Sequence, residues 1–352
     1  MKMSISQFLV KGNATILEAV QQLDQNGHGI IFLCENEQLK GVVSDGDVRR
    51  YILRHGDMGC TIDKIANHHP YTIAMDAHID SLKFMREKQI TSVPVIDRKG
   101  RIVRIDFDNG FRVFNVLDKS IPVAIMAGGK GSRLYPYTNI LPKPLIPIGE
   151  KTITEHIMER FEQVGCERFY MIINYKKNLI RTFFQETEEK KDICFIDEDT
   201  FWGTGGGLRL LLGKINDSFF MTNCDILVEE DYRLMMEYHK EQHNIATMVC
   251  AEKKVEIPYG TVEVDQEGRA VALSEKPQFS FLTNTGLYIL EPEFLEKIPG
   301  DTFIHITDVI QKCIDEGERV GVYTVNEDAW LDMGQLEELD RMKKKLAIER
   351  KL

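Results

Sequence analysis

At 352 residues, with 43% hydrophobic and 28% charged side chains, the chain has the composition of a folded globular protein too long for one ordinary core, which favours two domains over one large α/β domain. Its net charge of −11 repels polyanions and argues against a nucleic acid partner. No window approaches the ~18 consecutive apolar residues of a membrane span, the opening ten residues lack the apolar stretch of a secretory signal, and seven cysteines without a Cys-x-x-Cys pair suit neither a disulfide framework nor a zinc site. A cytoplasmic protein with reduced, mostly buried thiols is expected.

Residues 1–118 carry 15 acidic and 15 basic groups, so the whole negative excess falls on the remainder. Within them one order of elements occurs twice. Thr15-Ile-Leu-Glu-Ala-Val, Gly29-Ile-Ile-Phe-Leu and Gly41-Val-Val-Ser-Asp-Gly-Asp47 form the first series; Ile79-Asp-Ser-Leu-Lys-Phe-Met85, Ser92-Val-Pro-Val-Ile-Asp97 and Arg101-Ile-Val-Arg-Ile105 form the second. Each predicts a helix, a short strand, a polar turn and another strand, which makes two copies of one unit that bury surface against each other. The pattern resembles a tandem pair of cystathionine-β-synthase-type (CBS) domains. That resemblance implies a regulatory module that binds adenosine nucleotides such as AMP or ATP and commonly dimerises, so a homo-oligomer is expected. It places Ser44 and Asp47 on a Ser/Thr-x-x-Asp motif that meets phosphate and ribose. The second copy reads Arg104-Ile-Asp-Phe-Asp-Asn-Gly110, without that motif, so at most one complete ribose site is expected. A module that only dimerises, or packs on the rest of the protein, is the alternative. His68 and His69, with no other His or Cys clustered nearby, are expected in a solvated loop and not on a metal.

Asp118-Lys-Ser-Ile-Pro122 suits a domain junction, giving expected domains of 1–118 and 119–352. The buried-strand run Val123-Ala-Ile-Met126 then opens into Ala127-Gly-Gly-Lys-Gly-Ser-Arg133, followed by Leu141-Pro-Lys143-Pro. Glycines after a strand let backbone N–H groups turn toward phosphate oxygens. The spacing fits neither the dinucleotide fingerprint nor a P-loop. Instead an Arg directly after the glycines, and a Lys between two prolines, set two cations beside a phosphate cradle.

Gly-Gly-x-Gly-x-Arg-Leu-x-Pro-x-Thr followed by Pro-Lys-Pro is similar to the signature of sugar-1-phosphate nucleotidyltransferases, and the likeness runs from Val123 past Trp330. It implies a Rossmann-like α/β domain with a mixed sheet, preceded here by the α/β CBS pair. In that family the positions of Ala127, Gly128, Gly129, Gly131 and Ser132 cradle the triphosphate, and those of Arg133 and Lys143 stabilise departing pyrophosphate. Asp225, ending the run Phe219-Phe-Met-Thr-Asn-Cys, and Asp332, in Trp330-Leu-Asp-Met-Gly334, are implied to hold Mg²⁺, a hard cation that also bridges phosphates. Gly203 and Thr204, in Trp202-Gly-Thr-Gly-Gly-Gly207, are implied to lie near base and ribose, with a flexible loop as the alternative. Gly260, Glu275, Lys276, Asn284 and Thr285 fall on positions that meet the sugar phosphate. A CBS pair ahead of such a domain resembles guanylyltransferases of bacterial surface-sugar pathways that act on glucosamine- or mannose-1-phosphate. Uridylyl or thymidylyl transfer to glucose-1-phosphate is the alternative, and a nucleotide-sensing protein without catalysis is the alternative of another class. Leu336, Leu339, Met342 and Leu346 predict a closing surface helix.

Overall fold

The computed structural model describes residues 3–332, apart from 55, 76, 78, 118, 119 and 189. The expected closing helix over 336–352 and Gly334 lie outside the described residues. Contacts divide the described chain into two compact units, one of residues 1–118 with 163–165, the other of 119–162 with 166–332.

The first unit contains β1 (Leu9–Val10), α1 (Ile16–Asn26), β2 (Ile30–Glu35), β3 (Gln38–Ser44), α2 (Asp45–Leu53), β4 (Ile73–Ala74), α3 (Ser81–Lys88), β5 (Ser92–Ile96), β6 (Ile102–Phe107) and β7 (Arg112–Phe114). Its duplication is visible in the pairing. β1 runs parallel to β2 and β2 antiparallel to β3; β4 runs parallel to β5 and β5 antiparallel to β6. Helix α1 starts where Thr15 and Glu18 form a reciprocal cap. It buries Ile16, Ala19 and Leu23 against Ile31, Leu33 and Val43. The copies part company after their last shared strand. Ser44 caps α2 in the first, whereas Asp108-Asn-Gly110 turns the second back into β7, which pairs with β6. The missing Ser/Thr-x-x-Asp motif is therefore a missing helix start.

The second unit contains β8 (Val123–Ala127), β9 (Pro147–Ile148), β10 (Lys151–Thr152), α4 (Ile153–Gln163), β11 (Arg168–Ile173), α5 (Lys177–Glu186), β12 (Asp192–Asp197), α6 (Gly203–Gly206), β13 (Phe219–Asn223), β14 (Ile226–Val228), α7 (Tyr232–Glu241), β15 (Ala246–Glu256), β16 (Thr261–Val264), β17 (Ala270–Ser274), β18 (Gln278–Leu290), α8 (Phe294–Lys297), α9 (Ile306–Asp315), β19 (Val320–Asn326) and β20 (Trp330–Asp332). Seven strands form one mixed sheet in the order β12-β11-β8-β13-β18-β15-β19. The first four are parallel to one another and β18 is antiparallel to both its neighbours. Every residue of β8 is buried, as a strand covered on both faces requires. Alternation along β13 shows the two layers. Phe219 and Met221 pack toward Leu208, Leu211 and α9, while Phe220 meets Phe161 of α4 and Tyr232 of α7 at ring distances of 5.4 and 5.5 Å. The mixed-sheet α/β fold is as the sequence implied.

Beyond Glu252, the last residue of β15 paired toward β19, β15 and β18 leave the sheet as a two-stranded ribbon that continues into the β16–β17 hairpin. Nearly all of its side chains are exposed. A buried polar cluster anchors the opposite end: His239 Nδ1 lies 2.8 Å from Thr247 Oγ1, its Nε2 lies 3.0 Å from Glu291 Oε1, and Ser218 donates to the same carboxylate at 2.7 Å. Asn244 also donates to Thr247 Oγ1. All seven cysteines are free and four are buried. Among the described residues no helix is long and apolar enough to cross a membrane.

Candidate active site

Four parallel strands end at one edge of the sheet, and the residue that follows each end faces a common cleft or borders it. Gly128 follows β8, Asn174 follows β11, Glu198 follows β12, and Cys224 with Asp225 follow β13. Ligands collect at such carboxyl edges. The cleft measures about 250 Å³ and is lined by Gly128, Gly129, Gly131, Ser132, Arg133, Lys143, Gly203, Thr204 and Asp225 among others. Ala127 is the buried last residue of β8 beneath it.

Two 3₁₀ turns, Ser132–Leu134 and Lys143–Leu145, carry the two cations. Arg133 is exposed on the cleft wall. Lys143 forms an ion pair with Asp225, with side chains only 14% and 9% exposed. Opposite charges taken this far out of water hold each other in place, and removing one leaves the other unpaired at high cost. The neighbouring Cys224 is no nucleophile, since burial pushes its thiol up to about 12.

Asp332 does not line the cleft, but its strand runs beside the one that follows Asp225. β20 pairs antiparallel with β14, and Asp332 stands directly opposite Ile226, the residue after Asp225. Directly opposed residues lie about 4.5–5.5 Å apart at Cα. Among the described residues no group of three or more His, Cys, Asp and Glu that could hold a metal ion gathers, and of the two carboxylates only Asp225 lines the cleft. Carboxylate oxygens are ligands that suit a hard divalent cation. Asp225 is already engaged by the ammonium of Lys143.

Sequence reasoning overlooked Glu198. It lines the cleft, is 1% exposed, and accepts the Trp202 N–H at 2.8 Å on Oε1. A methyl group at Gly128 would lie 2.6 Å from its Oε2, and one at Gly207 would lie 2.9 Å from Oε1. Two glycines thus make room for one buried carboxylate, and burial holds its pKa above the usual range. A carboxylate two residues past the apolar strand run Ile193–Ile196 was the available signal, as Asp225 stands two residues past Asn223. The glycine run 203–207 is not a flexible loop: it forms a helical turn packed against the backbone of residues 302–306, where Thr204 Oγ1 accepts the Ile306 N–H.

The candidate sugar-side residues do not line this cleft. Gly260, Glu275 and Lys276 sit at the break in the exposed ribbon, where Glu275 Oε2 is 3.1 Å from the position of a Cβ on Gly260. Asn284 and Thr285 lie at its base, bonded to Tyr288 Oη and to the Val249 carbonyl. The following Gly286 abuts Asn223, a cleft residue. Trp330 is half-buried.

In the first unit, Ser44 and Asp47 line a separate cleft of about 320 Å³ together with residues of both repeats, including Gln89 and Ser92. Ser44 Oγ donates to Asp47 Oδ2 at 2.6 Å, and Arg50 pairs with the same carboxylate. The buried Ser92 hydroxyl has no partner among the described residues. His68 is not merely solvated, for its ring nitrogens lie 3.2 and 3.3 Å from the carbonyls of Lys40 and Asp63.

Comparison with known proteins matches residues 123–349 to the family model described as Nucleotidyl transferase and residues 3–54 to that of the CBS domain. The chain is 30% identical over 233 residues to a UTP--glucose-1-phosphate uridylyltransferase of Synechocystis, covering 60% of each. It is also 30% identical over 223 residues to mannose-1-phosphate guanylyltransferase 1 of Arabidopsis thaliana, again covering 60% of each. It therefore spans less than two thirds of these curated relatives. The crystal structure of HddC from Yersinia pseudotuberculosis shares the fold, with a TM-score of 0.51, 24% identity, and coverage of 64% of this chain and 99% of that one.

Proposed function

From the chain's membership of the nucleotidyl transferase family, to which residues 123–349 belong, we propose that it transfers a nucleoside monophosphate from a triphosphate to a sugar 1-phosphate, with GTP as donor. The observation that carries the transfer chemistry is the Lys143–Asp225 pair beside the glycine loop. The two charges neutralise each other, and separating them is favourable only for a ligand that brings an anion to Lys143 and a cation to Asp225. A metal–triphosphate brings both.

In the proposed reaction a phosphate oxygen of the sugar 1-phosphate forms a bond to the α-phosphorus, and the bond from that phosphorus to the α,β-bridging oxygen breaks. Pyrophosphate leaves with the electron pair. The nucleophile is already an anion, so no general base is needed and positioning carries the rate. The backbone of residues 127–132 cradles the triphosphate; Arg133 and Lys143 neutralise the charge that builds on the leaving group. Asp225 and Asp332 would hold Mg²⁺, which when bound supplies further neutralisation of the phosphates. Lys276 steadies the sugar phosphate, while Glu275, Asn284, Thr285 and the backbone at Gly260 meet the sugar hydroxyls.

Glu198 supports guanine as the base. Guanine presents two adjacent donors, N1–H and the 2-amino group, which a carboxylate accepts together. Uracil and thymine present one N–H between two carbonyls, whose lone pairs face a carboxylate unfavourably. Screening the four triphosphates against glucosamine-, mannose- and glucose-1-phosphate for pyrophosphate release tests this. GTP with one of the first two is expected to be fastest; faster uridylyl or thymidylyl transfer overturns the donor assignment, and no release with any pair favours a non-catalytic role.

The cleft at Ser44 and Asp47 is proposed to take AMP or ATP and to regulate the second unit in a homo-oligomer. Either nucleotide is expected to raise the melting temperature and change the rate of pyrophosphate release, and Asp47→Asn to cancel both effects. Absence of any nucleotide effect on the wild-type chain would leave the module a dimerising role only.

A further inference from the structure

Three consecutive residues after β11 stand behind the cleft and tie its walls together. Asn174 Nδ2 donates to the Glu198 carbonyl at 2.6 Å. The Tyr175 N–H donates to the Gly128 carbonyl at 3.3 Å, and its hydroxyl to the Thr138 carbonyl at 3.4 Å. Lys176 Nζ donates to the carbonyls of Asn139 and, at 2.9 Å, Ile140. Thr138 in turn closes on the glycine loop through a 3.1 Å bond from Oγ1 to the Gly131 carbonyl.

Lysine is a poor local choice at this position. Lys176 sits in the left-handed region at φ 52°, which a side chain with a Cβ disfavours. It precedes α5 and gives it no side-chain cap, and a positive charge at a helix N-terminus opposes the macrodipole. What the lysine supplies instead is an ammonium for two carbonyls at the end of the turn Tyr137–Asn139. Those carbonyls immediately precede Leu141-Pro-Lys143, so the bond fixes the segment that delivers Lys143 to the cleft. Lys176 itself does not line that cleft.

We propose that Lys176 is a positioning residue that holds the 139–143 segment so that Lys143 meets the triphosphate, a role that rests on the nucleotidyl-transfer reading. The test compares the full-length chain with Lys176→Met and Lys176→Arg by hydrogen exchange over residues 137–145 and by steady-state kinetics. In Lys176→Met, exchange at residues 140–145 quickens and kcat/KM for the triphosphate falls roughly ten- to a hundredfold. The KM for the sugar phosphate stays within about twofold, and Lys176→Arg, which still donates to both carbonyls, restores most of the loss. Unchanged exchange in Lys176→Met overturns the proposal, as does an equal loss toward both substrates that Arg does not rescue. If the wild-type chain releases no pyrophosphate, the transfer reading fails by itself, and the exchange comparison still decides for or against Lys176.

Discussion

Asp225→Asn is expected to slow pyrophosphate release by about a thousandfold or more while the chain remains folded. The amide keeps the size and one acceptor of the carboxylate but removes the charge on which a cation would rest. It also leaves Lys143 facing a neutral group with its side chain 14% exposed, which costs up to about 3 kcal/mol where a buried pair is broken. A second variant separates these effects. Adding Lys143→Met to Asp225→Asn removes the orphaned ammonium, so melting temperature recovers while activity does not. Turnover near that of the wild type in Asp225→Asn would end the proposed metal role for this carboxylate.

Glu198→Gln is expected to change the base that is used. Its amide pairs one donor and one acceptor with the N3–H and a carbonyl of uracil, and it forfeits the double acceptor that suits guanine. Because a buried site built for a hydrogen-bond pattern rejects a mismatch strongly, kcat/KM for GTP should fall about a hundredfold while that for UTP rises. Proton linkage gives a second signature. Burial holds the Glu198 carboxyl above its usual range, and only the ionised form accepts both guanine donors, so GTP use declines as pH falls through that raised value. The decline should vanish in Glu198→Gln. A variant that keeps its preference for GTP and its acid limb would remove Glu198 from base selection.

Much of the site was legible because its parts announce themselves locally. A buried strand, glycines, an arginine and a proline-flanked lysine form one continuous stretch from Val123 to Pro144, and a carboxylate closes the strand at Phe219–Asn223. Repetition of helix and strand patterns made the first unit's duplication readable as well. The placing of Asp332 near Asp225 was an expectation drawn from resemblance, since no local pattern encodes the pairing of β20 with β14 that sets Asp332 opposite Ile226. Glu198 was missed because its environment comes from elsewhere: Gly128, Gly207 and the Trp202 amide enclose a residue that in sequence stands among exposed Asp197 and Asp199. The glycine run 203–207 was ambiguous for the same reason, with a place near the nucleotide and a flexible loop both open. Glycines that permit a loop also permit close packing, and only the neighbours at 302–306 decide between them.

The ribbon formed by residues 252–282 stands mechanically apart from the sheet that carries the cleft. Its backbone shares no ladder with the seven-stranded sheet past Glu252 and Asn326, and its side chains contribute little to any core. Substitutions there are cheap in folding terms, whereas those around Lys143, Glu198 and Asp225 disturb buried charge. Under the proposed reading of Gly260, Glu275 and Lys276 as sugar contacts, the acceptor could be retuned by editing this surface appendage, with Lys143, Glu198 and Asp225 left untouched.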